Sequence, residues 1–497
     1  MSKSQSIRAG SAWILSGNAA LQLLQFVVGI VLARLLSPAD FGALVTIQVF
    51  TGIAGFVASG GMGQALVRAK NVEPLHFQVV FTVQLISGCV IYSVFWWSAP
   101  LLASAYDTPV YRELVRVSAL GFIIRPFINV PSSWLQREMR FRRRTVLQLL
   151  SLPIGSLASI VLAARGHGPW SLVWGGLISS VTLAVLSVGT YPGFVRFRFR
   201  EEIFKELGAY SAKLTLNDVT SYLRNQTSNF LLGALAGASS VGLYNKADSL
   251  AKLPQTISGA VYDPVFRGLS RLSGDLGQAR QLYYRAITLL AVYMLPLYFG
   301  LIWLAEPFIL LVYGEKWLPA ATPLKILCAG GVFACVGHPA GAVLAAHNWL
   351  GRELVVQLNA TALVAAACIG GLRWGLEGVA CGALLAWGYS TLHLLVLCNR
   401  CIGTRATDVL RSLAPALGLA TAMNAALFVA HETLGEFMGG THSASYLFAM
   451  TFAGLLVYGG CFLLVPIPAV ASEAARWRSV LNRYARGERM PRDSRSQ

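Results

Sequence analysis

The sequence predicts an all-α polytopic membrane protein, with about fourteen transmembrane helices in two six-helix lobes around a central cavity and two extra C-terminal helices. Three observations predict it. Hydrophobic residues make up 55% of the 497-residue chain and charged residues 12%, about half the charged share of a soluble domain. A soluble chain of this length has no core large enough to hide so much apolar surface. Apolar stretches of the roughly 20 residues needed to cross a bilayer follow one another almost end to end. Finally, the basic residues gather in alternate connections, as the positive-inside rule requires.

Taken in order, the spans are expected near 11–33, 41–66, 77–105, 114–136, 145–164, 170–192, 208–233, 242–265, 286–312, 323–346, 355–372, 378–398, 413–430 and 444–465. The first stretch has no small-residue cleavage site before the polar turn after Arg34, so it reads as a retained helix rather than a signal peptide. The connections are short, and the longest polar segment begins at Ser472. With the N-terminus inside, the inner connections and the tail carry 28 of the 40 Lys and Arg residues, and the outer connections carry 5, namely Arg34, Arg112, Arg165, Lys316 and Arg373. That bias puts both termini in the cytoplasm. It also accounts for most of the formal charge of +18 without a nucleic-acid partner, and the chain carries no nucleic-acid motif. The outer loop from His431 to His442, with Glu432, Glu436 and His442, reads as a solvated hairpin. Most of the eight cysteines sit in apolar stretches as small hydrophobes. Cys398 and Cys401 form one CxxC, but two more ligands for a metal are not evident nearby, so neither a metal site nor a cofactor is expected.

The chain also resembles itself. Residues 33–45 (ARLLSPADFGALV) and 233–245 (GALAGASSVGLYN) both pass from an apolar helix through a small-residue turn into a second helix. At this spacing Ser11 aligns with Ser211, Asn18 with Asp218, Gln25 with Asn225 and Gln48 with Asp248. Further on, Pro100 aligns with Pro307, Tyr106 with Tyr313, Gly168 with Gly375 and Gly175 with Gly382. Internal repeats of this kind build many transporter folds. They divide the chain into an N-lobe over 1–195 (spans 1–6), a C-lobe over 205–400 (spans 7–12), spans 13–14 over 401–471, and a basic cytoplasmic tail over 472–497.

Three segments carry a family resemblance: the opening VLARLLSPADFGALV, the segment WLQREMRFRRR after span 4, and RGHGPWSLVWGGL between spans 5 and 6. Together with the two-lobe plan they resemble the bacterial polysaccharide and O-antigen flippases of the multidrug/oligosaccharidyl-lipid/polysaccharide exporter superfamily. The resemblance covers about residues 5–400. It implies a transporter, not an enzyme, in the bacterial inner membrane. Its substrate would be an undecaprenyl-diphosphate-linked oligosaccharide, moved from the inner to the outer leaflet, with membrane lipid and the polysaccharide polymerase machinery as partners.

The residues add their own argument. Ionisable side chains inside spans are energetically costly and mark function by default. The basic ones here are Arg116, Arg125, Lys213, Arg224, Lys246, Lys252 and Lys325; the acidic ones include Asp218, Asp248 and Asp263. In span 7, Lys213, Asn217, Ser221, Arg224 and Ser228 share one helical face within about 80°, with Asp218, Asn225 and Asn229 beside it. Span 1 repeats the plan with neutral Asn18, Gln22 and Gln25. Such faces line a wet cavity rather than lipid. The expected substrate-binding set is therefore Lys213, Arg224, Asn217, Arg125, Lys246, Lys252, Asn18, Gln22 and Gln25, because Arg and Lys bind phosphate oxygens by charge-assisted hydrogen bonds and amides suit sugars. Asp218 and Asp248 stand where the first lobe has neutral amides, which makes them candidates for ion coupling; Asp248 and Lys252 are also spaced to neutralise each other. Two other readings stay open. A multidrug or ion antiporter of the same superfamily would favour carboxylates in its cavity. A membrane sugar polymerase or ligase would be expected to carry a sizeable outer loop.

Overall fold

The computed structural model describes residues 3–272, 275–347, 349–434, 443–465 and 468–485; side chains are described from Gly17 onward, apart from a few that include Lys213 and Asp263. Glu436, His442 and the arginines beyond Ala485 lie outside the described residues. Nineteen helices follow in order: α1 (Lys3–Leu35), α2 (Pro38–Ser59), α3 (Met62–Arg68), α4 (Pro74–Ala105), α5 (Val110–Ala119), α6 (Gly121–Ile124), α7 (Pro126–Arg137), α8 (Phe141–Ala164), α9 (Pro169–Val188), α10 (Glu201–Ala251), α11 (Thr256–Arg271), α12 (Leu276–Tyr313), α13 (Ala321–Ala329), α14 (Gly331–Ala346), α15 (Leu350–Gly371), α16 (Gly375–Ile402), α17 (Ala406–Leu434), α18 (Ala444–Leu464) and α19 (Ala471–Ala485). Five short 3-10 turns lie among their connections, and the described residues contain no strand.

Each of the fourteen expected spans falls on helix. Among the described residues, ten helical segments are long and apolar enough to cross a membrane, or eleven if the pair bent by 46° at Gly330 is one span. The remainder has a physical reason. The segment Gly351–Ile402 passes as one, yet it holds two packed helices, α15 and α16. The polar residues of span 7 make α10 too polar to be counted, and the eighth expected span is divided between the end of α10 and the 16-residue α11. The surface is apolar where lipid belongs: Ile86, Val90, Val94, Trp97 and Leu101 form an exposed stripe at helical spacing along α4, the reverse of a water-soluble helix.

The chain packs as two compact units, Met1–Asn245 and Lys246–Gln497. The first unit has two main cores. One gathers Ala43 and Ile47 of α2 with Ala99, Tyr111, Leu114, Val173 and Leu177. The other gathers Met62 and Leu66 with Phe77, Phe81, Val130, Phe194 and Leu207. In the second unit α12 is the central helix; Leu304 packs with Met423, Leu427, Tyr446 and Met450 of α17 and α18.

Local sequence explains the joints. Ser37 starts α2 as a capping box: its amide donates to the Asp40 carboxylate at 2.8 Å, and the Asp40 amide donates back to the Ser37 hydroxyl at 3.2 Å, which satisfies amides that helix starts leave open. α10 breaks at Gly237, whose φ of 79° and ψ of 172° belong to a region almost confined to glycine. This break aligns with Ser37 in the self-similarity of the sequence. The aligned turns at Gly168 (φ 52°, ψ −131°) and Gly375 (φ 67°, ψ −151°) likewise share one unusual backbone conformation. In the hairpins that follow, Gly175 packs on Ser159 of α8, and Gly382 packs on Ala367 of α15.

Candidate functional site

The fourth span runs as one helix with a local gap in its hydrogen bonds. Pro126 has no amide to donate, yet Leu120 and Arg125 keep right-handed helical backbone and the Asn129 amide donates to the Arg125 carbonyl at 2.9 Å. This places a guanidinium midway along a segment of 28 residues, Val110–Arg137, that is apolar enough to cross a membrane. An ionisable side chain at that depth is costly and marks function by default.

Arg125 is accommodated by α2. A side chain at Gly55 would collide with its guanidinium, and one at Gly52 would collide with the ring of Tyr222 from α10. The Tyr222 hydroxyl donates to the Gln48 carbonyl at 2.6 Å, and its ring centroid lies 5.6 Å from that of Phe56. The Phe122 ring lies 5.9 Å from the guanidinium carbon of Arg125. Among the described residues no carboxylate pairs with Arg125. The site is thus a cation beside an aromatic hydroxyl, seated on glycine backbone.

The same two helices run antiparallel along their length. At one end, Gly61 of the turn after α2 approaches the Ser211 carbonyl of α10. At the other, Gly42 packs on the carbonyl of Ala238 while Gly242 packs on the carbonyl of Pro38. A Cβ on Gly42 would lie 3.0 Å from the Gly242 nitrogen, and one on Gly242 would lie 3.1 Å from the Gly42 nitrogen. The contact is reciprocal between positions that align in the sequence repeat, and it is made by backbone alone.

The other expected residues fall into separate environments. Asn217 and Asn225 are exposed on α10, while Asp218 and Arg224 are half-buried. Arg224 lies about 160° around the helix from Tyr222, so it points away from the Arg125 group, and it has interactions of its own. Asn229 is buried and donates to Gln226 at 2.7 Å. Asn18, Gln22 and Gln25 are exposed on one face of α1; this helix packs on α8 through Gly17 against Thr145. The side chain of Lys213 lies outside the described residues.

In the second unit, Lys246 sits over the rings of Tyr313 and Trp317 at 4.5 and 5.2 Å, and Lys252 donates to Asp248 at 2.6 Å. Lys325 pairs with Glu306 at the edge of a cavity of about 360 Å³ also lined by Trp303, His431 and Tyr446. Back in the first unit, Arg116 pairs with Glu113 at 3.0 Å and covers the Trp96 ring at 4.3 Å.

The segments that carried the family resemblance are structural. Arg137 donates to the carbonyls of Leu66, Ala69 and Lys70 at 2.9, 2.5 and 3.0 Å, closing the end of α3 where orphan carbonyls need donors. Trp134 stacks on Tyr191 at 5.0 Å and lies under Arg140 at 4.9 Å. Asp40 of the opening segment lies against Gly168 of the turn between α8 and α9.

An all-α chain with exposed apolar stripes and a cation midway along a span is a polytopic membrane protein of the transporter type, and comparison with solved structures agrees on the fold. The lipid II flippase MurJ in an inward closed conformation superposes with a TM-score of 0.69 over 94% of this chain and 99% of that one, at 15% identity. An inward-facing MATE family multidrug transporter of the MOP superfamily superposes with a TM-score of 0.61 over 77% and 94%, at 17% identity. The family model described as polysaccharide biosynthesis protein matches residues 31–322, more than half the chain, and the protein belongs to that family. Among its relatives are the lipopolysaccharide biosynthesis protein WzxC of Escherichia coli K12, 23% identical over 79% of this chain and 80% of its own, and the succinoglycan biosynthesis transport protein ExoT of Rhizobium meliloti, 27% identical over 61% and 62%.

Proposed function

We propose that the protein flips oligosaccharides linked to a lipid diphosphate, with undecaprenol as the lipid, from the inner to the outer leaflet of the bacterial cytoplasmic membrane by alternating access. Both termini are then cytoplasmic, and the unit delivered outside feeds a polysaccharide polymerase. The observation that carries this reading is Arg125, a guanidinium held midway along a span with no carboxylate paired to it among the described residues. Such a group is stabilised by an anion, and its planar fork can hold two phosphate oxygens at once. Tyr222 and the exposed amides of α1 and α10 supply hydrogen-bonding groups for sugar hydroxyls. A cation exporter would instead place a carboxylate where Arg125 stands. In this cycle the reciprocal crossing of α2 and α10 at Gly42 and Gly242 is the closure on the outer side.

The test is flipping of a fluorescent undecaprenyl-diphosphate disaccharide by the purified protein in liposomes. Arg125→Ala at normal insertion is expected to lose at least tenfold in rate. Wild-type rates in that variant would overturn the assignment.

A further inference from the structure

Transport as proposed makes no use of α19, the fifteen-residue helix Ala471–Ala485 that follows the last span. Its sequence is laid out for an interface. At about 100° per residue, Ala474, Trp477 and Val480 form one apolar stripe. Arg476 and Arg478 stand on the two edges of that stripe, and Arg483 stands beside Arg476. The opposite face is neutral, with Ala475, Ser479 and Asn482. The one acidic residue, Glu473, is in the first turn, where it suits the helix dipole; it falls on the stripe itself, between Val480 and Trp477 and one turn before Arg476. Basic residues at the margins of an apolar face let the stems lie along the hydrocarbon while the heads reach phosphates.

The depth agrees. The indole of Trp477 donates to the hydroxyl of Tyr293 on α12 at 2.9 Å. Tyr293 and Tyr313, the last residue of α12, are about 30 Å apart along the helix at 1.5 Å per residue, which is the thickness of the hydrocarbon core. Tyr293 lies about 10 Å inside the residue-286 end of the expected span 286–312, the depth to which the apolar face of an interfacial helix reaches. α18 measures about 30 Å by the same rise and stops at Leu464, just before α19. Trp and Tyr collect at such boundaries. Ala474 is 1% exposed and packs inward, whereas Trp477 is 44% exposed, and Arg476, Arg478 and Arg483 are exposed beside it.

We infer that α19 is a binding site for anionic phospholipid head groups, with Arg476, Arg478 and Arg483 holding the phosphodiesters of the leaflet on that side. Under the orientation proposed above, that is the cytoplasmic leaflet. Only the sidedness rests on the transport reading; lipid binding stands apart from it and is measured without any oligosaccharide.

The full-length protein in neutral detergent is titrated with fluorescent phosphatidylglycerol and with fluorescent phosphatidylcholine. Phosphatidylglycerol should bind at least tenfold more tightly, since each arginine near an anionic surface contributes about fivefold. The triple variant Arg476→Gln, Arg478→Gln, Arg483→Gln should lose that preference. The triple Lys variant should keep most of it, which separates lost charge from a damaged fold. Equal affinity of the wild type for the two lipids, or an unchanged preference in the Gln variant, overturns the site. Wild-type binding of soluble polyglutamate as tight as that of phosphatidylglycerol, lost in the Gln variant, also overturns it and assigns α19 to an acidic protein segment.

Discussion

Arg125 occupies its place because two positions on α2 have no side chain in the way. Gly55 leaves room for the guanidinium and Gly52 leaves room for Tyr222, so the site is set by residues that carry no chemistry. Gly55→Leu should therefore cut flipping at least tenfold, as Arg125→Ala does, while Arg125→Lys should keep partial activity because it retains charge and loses the planar fork; rates in liposomes at matched protein abundance decide both. Arg224→Ala and Lys213→Ala are expected to abolish polysaccharide export in cells while inserting normally, and normal export would remove those residues from the site. Arg125 was legible in the sequence as a charge inside an apolar stretch. Its partners were not, since the reason for a glycine at position 55 belongs to another helix. The separation of Arg224 from Arg125, which the sequence reading had placed in one set, was not legible either, because helical spacing fixes the face of one helix and not the face its neighbour meets.

At the scale of the element, α2 and α10 are the pair to test. Their reciprocal approach at Gly42 and Gly242 has no space for a Cβ on either side. Gly42→Leu or Gly242→Leu should destabilise the chain by about 1–3 kcal/mol, the usual effect of overpacking. The expected readout is a lower Tm together with lost flipping; an unchanged Tm in both variants would mean that the helices do not meet there. The spans were legible because lipid demands long apolar runs, and the missing hydrogen bond in the fourth follows from Pro126. α19 was not, because its short amphipathic repeat is masked by the polar, arginine-rich composition around it. The break of α10 at Gly237 shows only as a small-residue turn until the backbone is seen.

For the whole molecule, the distribution of arginine makes a topological prediction. A reporter active only in the cytoplasm should work when fused after Arg143, Arg200, Arg271 or Arg489 and fail after Asp107 or Thr441; activity at Thr441 would break the fourteen-span count. Energy coupling is tested at the same scale. With no nucleotide motif in the chain, an ion gradient is the expected drive, and Asp218→Asn and Asp248→Asn should each weaken the response of flipping to an imposed proton or sodium gradient. Asp248 already holds Lys252 at 2.6 Å, so loss of gradient dependence in Asp218→Asn alone would leave Asp248 a structural partner. The compact units divide at Asn245, well beyond the expected repeat boundary near residue 200, because α10 packs on α2 through Ser211, Tyr222 and Ala238. The crossing at Gly42 and Gly242 also bears on speed. A latch of lysine or glutamine side chains gives up as much as about 2 kcal/mol of conformational entropy per residue each time it shuts. Two bare backbones have no rotamers to freeze, so under the proposed cycle a closure at this crossing would have little to order each time it re-formed.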